Sequence, residues 1–306
     1  MLEKIEIGKR SSLPLLIISA ADGVASTGSI YQKLMVKDIE GSKASMYNFG
    51  KGVSEKDIIS AVVEAVDYSG KKSFHLKDWN QADEGITATD FLPKAEIDIK
   101  ATWKMVANMI KTITDTNLCK LVCKVLWNDN NTFRTSPLSA TERYARIGGV
   151  LEATAKLMEL SEATANIMNL DRNIMVAASA VYYIGNIEMT DAEFAPTANV
   201  VLTTPAIIAH DKLILAEHML AENEMVDSET FKILDNIILS GTYDQYGATL
   251  EAKVIQMLSR IVMKVDAGNR IMNGLESGAF LDTYKQPWYK RKESLNTETA
   301  LKEETA

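Results

Sequence analysis

Near residue 98 the apolar residues of this 306-residue chain change their spacing, from every second position to every third or fourth. A period of 2 sends alternate side chains to opposite faces of a strand, whereas 3.6 lines up one face of a helix, so no single element type satisfies both halves. Before the change, apolar and β-branched runs at 13–20, 30–37, 43–49, 58–68 and 71–79 are broken by turn residues such as Ala21-Asp22-Gly23, Gly41-Ser42 and Ser69-Gly70. Five short strands in so small a unit suit a five-stranded OB-type β-barrel, with Tyr68-Ser69-Gly70-Lys71 as a hairpin turn. After the change Gly and Pro thin out, and helices are expected at 99–113, 117–127, 140–159, 161–169, 172–183, 205–223, 228–239 and 249–273. Ser161-Glu162-Ala163-Thr164 and Asp227-Ser228-Glu229 stand where helix N-termini need capping oxygens. The expected fold class is α+β multidomain: a barrel at 1–84, a linker at 85–97, an all-α domain at 98–284 and a charged tail at 285–306 that is expected to be flexible.

Charge narrows the partners. With 33 Lys and Arg against 41 Asp and Glu, the net charge is −8 and the pI about 5.1, so any phosphate binding has to come from a local patch. A hydrophobic content of 46% suits a globular chain. No apolar run reaches membrane-spanning length, and Met1-Leu2-Glu3-Lys4 lacks the layout of a secretory signal, so a cytoplasmic protein without a membrane partner is expected. Cys119 and Cys123, four apart on an expected helix, have no companion ligands for zinc and read as free thiols. The sequence contains no internal repeat.

The β half supplies the two kinds of side chain that bind single strands, rings for stacking and cations for the backbone. Tyr31, Lys33, Lys43, Tyr47 and Phe49 lie on the second and third expected strands, and Lys71, Lys72, Phe74, His75, Lys77 and Trp79 on the fifth. Alternation sends Phe74 to one face and Lys71, His75, Lys77 and Trp79 to the other. The candidate surface for single-stranded RNA or DNA is therefore Tyr31, Lys33, Lys43, Tyr47, Lys71, His75, Lys77 and Trp79. The competing reading is that the aromatics fill the barrel while lysines keep its edges soluble.

Several motifs carry a family resemblance. Leu15-Leu16-Ile17-Ile18-Ser19, then Gly23-Val24-Ala25-Ser26-Thr27-Gly28 and Leu34-Met35-Val36-Lys37-Asp38, resemble the OB domain of the YhaM-type 3′-to-5′ exoribonucleases. Gly148-Gly149-Val150-Leu151-Glu152-Ala153-Thr154 resembles the G-G-L-L-x-H-T helix that opens their HD domain, and Leu170-Asp171-Arg172-Asn173 the L-D-R-D step. Ala180-Val181-Tyr182-Tyr183-Ile184-Gly185-Asn186 is similar to L-L-H-D-I-G-K, Ile238-Leu239-Ser240-Gly241-Thr242 to L-S-H-H-G, and Glu251-Ala252 to the E-A of a later helix. The resemblance implies an OB domain joined to an HD-like domain, homo-oligomers, and a divalent metal held by His and Asp that activates water on a phosphodiester. The implied ligand positions instead read Ala153, Tyr182, Tyr183, Pro205, Gly241, Thr242 and Ser259, residues that offer a divalent ion little. A degenerate member is expected, with no catalytic residues, no metal and no cofactor.

Other groups are weaker. His210-Asp211, with Glu217 and His218 on the same helix, is conceivable as a relocated metal site but reads more simply as a helix surface. Ser240 has no His–Asp partner in sequence, and Gly148-Gly149 lacks the strand and the Lys-Ser/Thr of a phosphate loop. Two functional expectations follow. One is a catalytically inactive binding or scaffold protein for single-stranded RNA, DNA or a protein partner, in a bacterium or phage. The other is a pocket at Tyr182, Tyr183 and Thr242 that sequesters a nucleotide or a nucleic-acid end.

Overall fold

The computed structural model describes residues 1–25, 28–141, 143–191, 193–241, 247–283 and 286–291. The chain divides into two compact units, Met1–Glu96 with Thr190–Ala195, and Ile97–Met189 with Pro196–Ala306.

The first unit is a closed barrel of β1 (Arg10–Val24), β2 (Ile30–Asp38), β3 (Lys43–Asn48), β4 (Ile58–Tyr68) and β5 (Lys71–Gln81), in the order β1-β2-β3-β5-β4. β1 closes it because its 15 residues serve two neighbours: Arg10–Leu16 pair with β4 and Leu15–Val24 with β2. A register shift between Ile17 and Ser19 bends the strand as it passes from one partner to the other. The period-2 pattern fills the interior: Leu13, Leu15, Ile17, Leu34, Val36, Met46, Ile59, Val63 and Leu76 are buried. At the expected hairpin Ser69 and Gly70 both take positive φ, 55° and 77°, the mirror-image turn that matches strand twist. Between β2 and β3 the buried Asp38 carboxylate accepts the N–H groups of Glu40 and Ser42, each at 3.0 Å. The expected linker is itself folded: Ala88–Phe91 form a 3-10 turn, Asp90 accepts the Thr87 N–H at 2.9 Å, and Phe91 is buried.

The second unit contains α1 (Ile99–Ile110), α2 (Thr116–Asn128), α3 (Asn130–Thr135), α4 (Gly149–Met168), α5 (Arg172–Val181), α6 (Asn199–Leu202), α7 (Pro205–His218), α8 (Ser228–Leu239) and α9 (Leu250–Asn273). Side-chain oxygens of Asp98, Asp115, Asp171, Thr204, Asp227 and Thr249 accept N–H groups in the first turns of α1, α2, α5, α7, α8 and α9. Val150, Leu151, Ala153, Leu157 and Met158 of α4 enter one core with α5, whose Ile174–Val181 are all buried. The two helices expected at 140–159 and 161–169 are a single helix beginning at Gly149. Gly149 explains the start, since a Cβ there would stand 2.0 Å from the Tyr144 carbonyl oxygen, and Gly148 before it has φ +82°. Residues 136–141 and 143–148 therefore fold as loop against α4, with Leu138 N–H donating to Tyr144 O at 3.1 Å. Ser161 is not a cap; it lies buried within α4.

A buried ion network ties this loop down. Arg146 pairs with Glu152 at 2.8 Å and Asp266 at 2.7 Å, Lys156 reaches Glu152 at 2.7 Å, and Asp266 also accepts the Tyr144 N–H at 2.7 Å. Burial pushes the Glu152 carboxyl up, but its bonds to Arg146 and Lys156 prevail and hold it below the ordinary carboxylate value. Cys119 and Cys123 are half-buried free thiols, and burial, together with Cys119, raises the Cys123 thiol to about 11. The expected tail begins later than residue 285: β7 (Gln286–Tyr289) pairs with β6 (Phe280–Thr283), and the Trp288 ring lies over Gly268 of α9. Residues 292–306 fall outside the described residues. Among the described residues no helix is long and apolar enough to cross a membrane.

Candidate functional site

On the outside of β2, β3 and β5 the pairing brings Lys33 beside Tyr47 and Tyr47 beside His75. The Tyr31 ring approaches Tyr47 at 5.7 Å and Phe49 at 5.8 Å, while His75 meets Tyr47 at 6.2 Å and Phe49 at 5.6 Å. Tyr31 can lie flat across β1 because Gly23 is beneath it: a Cβ there would stand 2.6 Å from the ring. Four rings thus form one connected surface, with Phe49 55% exposed at its rim. Beside them runs a groove of about 410 Å³ lined by Lys33, Lys43, Tyr47, Tyr68, Lys71 and Lys72. Among the described residues Lys33, Lys43 and Lys71 form no ion pair, which leaves their charge available to an anion. Burial, and then the charge of Lys77, push the His75 imidazole below its ordinary value against the pull of Glu64, so His75 is neutral at pH 7.

Six of the eight expected face residues, Tyr31, Lys33, Lys43, Tyr47, Lys71 and His75, come together here. Of the other two, Lys77 lies near His75 but is held by Glu64, and Trp79 turns away. In β5 the pairing jumps from Leu76 opposite Val63 to Asp78 opposite Val62, leaving Lys77 as an extra residue. That bulge reverses the alternation beyond it. Trp79 turns to the side of its partner Ala61 and packs on the barrel core, its indole N–H donating to Lys51 O at 2.9 Å and its ring under the Lys51 ammonium at 4.2 Å. Lys77 is engaged by Glu64 at 2.7 Å. Tyr68, exposed beside the hairpin turn, belongs to the groove and is not among the residues that alternation alone selects.

In the helical unit Tyr182, Tyr183, Pro205, Gly241 and Ser259 surround one cavity of about 450 Å³, although they come from four separate stretches of chain. The short 3-10 segment Ile184–Glu188 fixes this arrangement by packing Gly185 on the start of α7, where a Cβ would stand 1.9 Å from Pro205 O. Tyr182 and Tyr183 meet edge to face at 5.3 Å, and the Tyr183 hydroxyl donates to Ser259 Oγ at 2.9 Å. Ala153 is not at this cavity but in the core of α4, and Thr242 lies outside the described residues. Arg143, Arg260, Lys264 and Trp288, to which no motif points, also line it.

Over 292 residues, 90% of its length, the chain is 21% identical to the 3′-5′ exoribonuclease YhaM of Bacillus licheniformis, covering 92% of that protein. The likeness runs through both units and supports the resemblance read from the motifs. No family model matches the sequence, and no solved structure matches it.

The donor set can be tested against the divalent metal that the resemblance implies. Such an ion needs several carboxylate or imidazole ligands converging on one point. Among the described residues no three His, Cys, Asp or Glu side chains converge in this way. Burial pushes the Tyr183 hydroxyl far above the ordinary tyrosine value, so it remains a neutral hydrogen-bond donor rather than an anionic ligand. These residues do not fit a divalent metal. The His210 cluster does not replace them: His210 Nδ1 is 2.5 Å from Asp235 Oδ1 on α8, rather than joined with Asp211, Glu217 and His218 in a ligand set. Ser240 is buried, with its hydroxyl donating to Ile237 O at 2.6 Å.

Proposed function

We propose that this chain binds single-stranded RNA on the outer face of its barrel and does not hydrolyse it. The observation that carries the reading is the connected surface of Tyr31, Tyr47, Phe49 and His75 beside a groove with three lysines that form no ion pair among the described residues. Stacking on such rings is worth about 1–3 kcal/mol per base and tolerates any sequence, while the lysines track the phosphates. The surface spans the β2–β3 face and the β4–β5 hairpin, where barrels of this type receive oligonucleotides. Similarity to an exoribonuclease favours RNA over DNA as the strand. That no carboxylates or imidazoles converge there among the described residues favours retention of the strand over cleavage. The test is an electrophoretic shift of the full chain with single-stranded RNA, and in parallel DNA, across a salt series, repeated with Mn²⁺ or Mg²⁺ added. A shift that weakens with salt and leaves the RNA at full length is expected. No shift even at low salt removes the binding reading, and progressive shortening of the RNA removes the non-hydrolytic one.

A further inference from the structure

The outer face of the barrel sorts its cations from its rings. Along β3 the outward residues run Lys43, Ser45 and Tyr47, with Phe49 just beyond, and along β5 they run Lys71, Ser73 and His75. β2 runs the other way and sets Lys37 opposite Lys43 and Lys33 opposite Tyr47, with Tyr31 at the ring end. Lysines therefore gather where β3 and β5 begin, and rings where they proceed. Lys37 and Lys43 are like charges directly opposed across two strands, a pairing that costs a sheet stability. Burial, and then the Lys43 charge, push the Lys37 ammonium below its ordinary value against the pull of Asp38. Among the described residues Lys33, Lys37, Lys43 and Lys71 form no ion pair, whereas Lys72 donates to Glu3 O at 2.7 Å and Lys77 is held by Glu64. No described Asp or Glu lines the groove, although the chain as a whole carries a net charge of −8. Ser45 and Ser73 do line it, and the Ser45 hydroxyl oxygen is buried without a hydrogen-bond partner among the described residues. Tyr68, opposite Lys71 and 73% exposed, flanks the same end.

A strand that only passes over a barrel needs rings and cations along its whole path, because every nucleotide brings one base and one singly charged phosphate. Cations gathered at one end of a row of rings exceed what a single diester requires. A terminal phosphate monoester carries about −1.5 to −2 charges at pH 7 and several strong acceptor oxygens, and matches them better. We propose that the lysine end of this groove receives the terminal phosphate monoester of a single-stranded RNA, with the adjoining bases on Tyr47, Tyr31 and Phe49. The inference rests on RNA binding by the barrel and sharpens it: the row holds the end of a strand and not a stretch of its middle. A dianion between Lys37 and Lys43 relieves the repulsion that their pairing creates, and Lys71 meets it from β5. An acceptor oxygen brought to Ser45 gives its hydroxyl the partner it lacks.

The experiment is calorimetric titration of the full chain, in EDTA, with one RNA sequence of about 8 nucleotides, within the ~4–16 that a barrel covers. The RNA is used in three forms: with a 5′-phosphate, with a 3′-phosphate, and with hydroxyls at both ends. At least one phosphorylated form is expected to bind about 10-fold more tightly than the hydroxyl form, and which one it is gives the direction of the strand. Lys43→Gln and Lys71→Gln should each cut that gain to about 3-fold or less, while Lys232→Gln on the exposed side of α8 leaves it unchanged. Lys37→Gln separates binding from folding: removing an opposed charge should leave the unfolding midpoint at or above that of the wild type and still reduce the gain. Equal binding of all three forms, or a gain that survives the lysine variants, would overturn the end-binding proposal and leave RNA binding by the barrel intact. Binding of none of the three would remove both.

Discussion

The barrel and the helical unit both set aromatic rings beside cations, yet they do so in opposite ways. On the barrel the rings come from adjacent strands, stand in an open row, and reach 55% exposure at Phe49. In the helical unit Tyr183 is only 4% exposed, and the cations face a half-open pocket bounded by separate helices. An open row can accept successive bases of a passing strand; a pocket bounded on several sides has room for one small group. The same residue chemistry therefore points to different ligands, according to whether strands or helices present it.

The loop beside the pocket is held by buried charge and the row is not, so the largest expected effect separates them. Asp266→Ala leaves the Arg146 guanidinium without one carboxylate and the Tyr144 N–H without its acceptor, and should destabilise the protein by about 3–5 kcal/mol in denaturant unfolding. Glu64→Ala, which removes the solvent-exposed pairs with Arg10 and Lys77 on the barrel, should leave the unfolding midpoint almost unmoved. Comparable losses would mean that the two regions are not supported differently.

Next in size are effects on the row itself. Tyr47→Ala removes the ring that touches both Tyr31 and His75, and should weaken single-stranded RNA by roughly 5- to 150-fold in fluorescence anisotropy, the equivalent of ~1–3 kcal/mol. An unchanged affinity would move the strand off this face. Replacing Lys33, Lys43 and Lys71 together by Gln should reduce the slope of log affinity against log salt by about 0.7 for each phosphate that is no longer neutralised. A parallel salt dependence would show that these lysines only solubilise the barrel edge.

The barrel is legible in the sequence because its interior obeys a strict alternation and its hairpin turn falls on Ser69-Gly70. Trp79 departs from that alternation for one physical reason. A bulge adds one residue, here Lys77, and inverts every facing beyond it, and nothing in the local composition announces it. The start of α4 is hidden because helical spacing runs back to residue 140, whereas 143–148 are loop held in place by Gly149 and the Arg146 network. At the cavity, the motifs locate Tyr182, Tyr183, Pro205, Gly241 and Ser259, but the cations belong to no motif, and the resemblance points only to missing ligands. Arg260 and Lys264, four apart on an expected helix, are the available signal for a site of opposite character.

The smallest effect tests whether the row meets phosphate at all, and its sign distinguishes binding from folding. Burial and Lys77 lower the His75 imidazole, so between that lowered value and its ordinary value of 6.5 the unfolded chain takes up a proton that the folded chain does not. Stability therefore increases with pH through this window, and acidification costs the fold a small amount. A bound strand reverses the preference, because its phosphates favour the imidazolium beside Tyr47 and Phe49. Between about pH 7.5 and about 5.5, RNA affinity should rise slightly while the unfolding midpoint falls, and His75→Gln should flatten both trends. If affinity and stability decline together on acidification, the strand does not reach His75, and the row ends at Tyr31 and Tyr47.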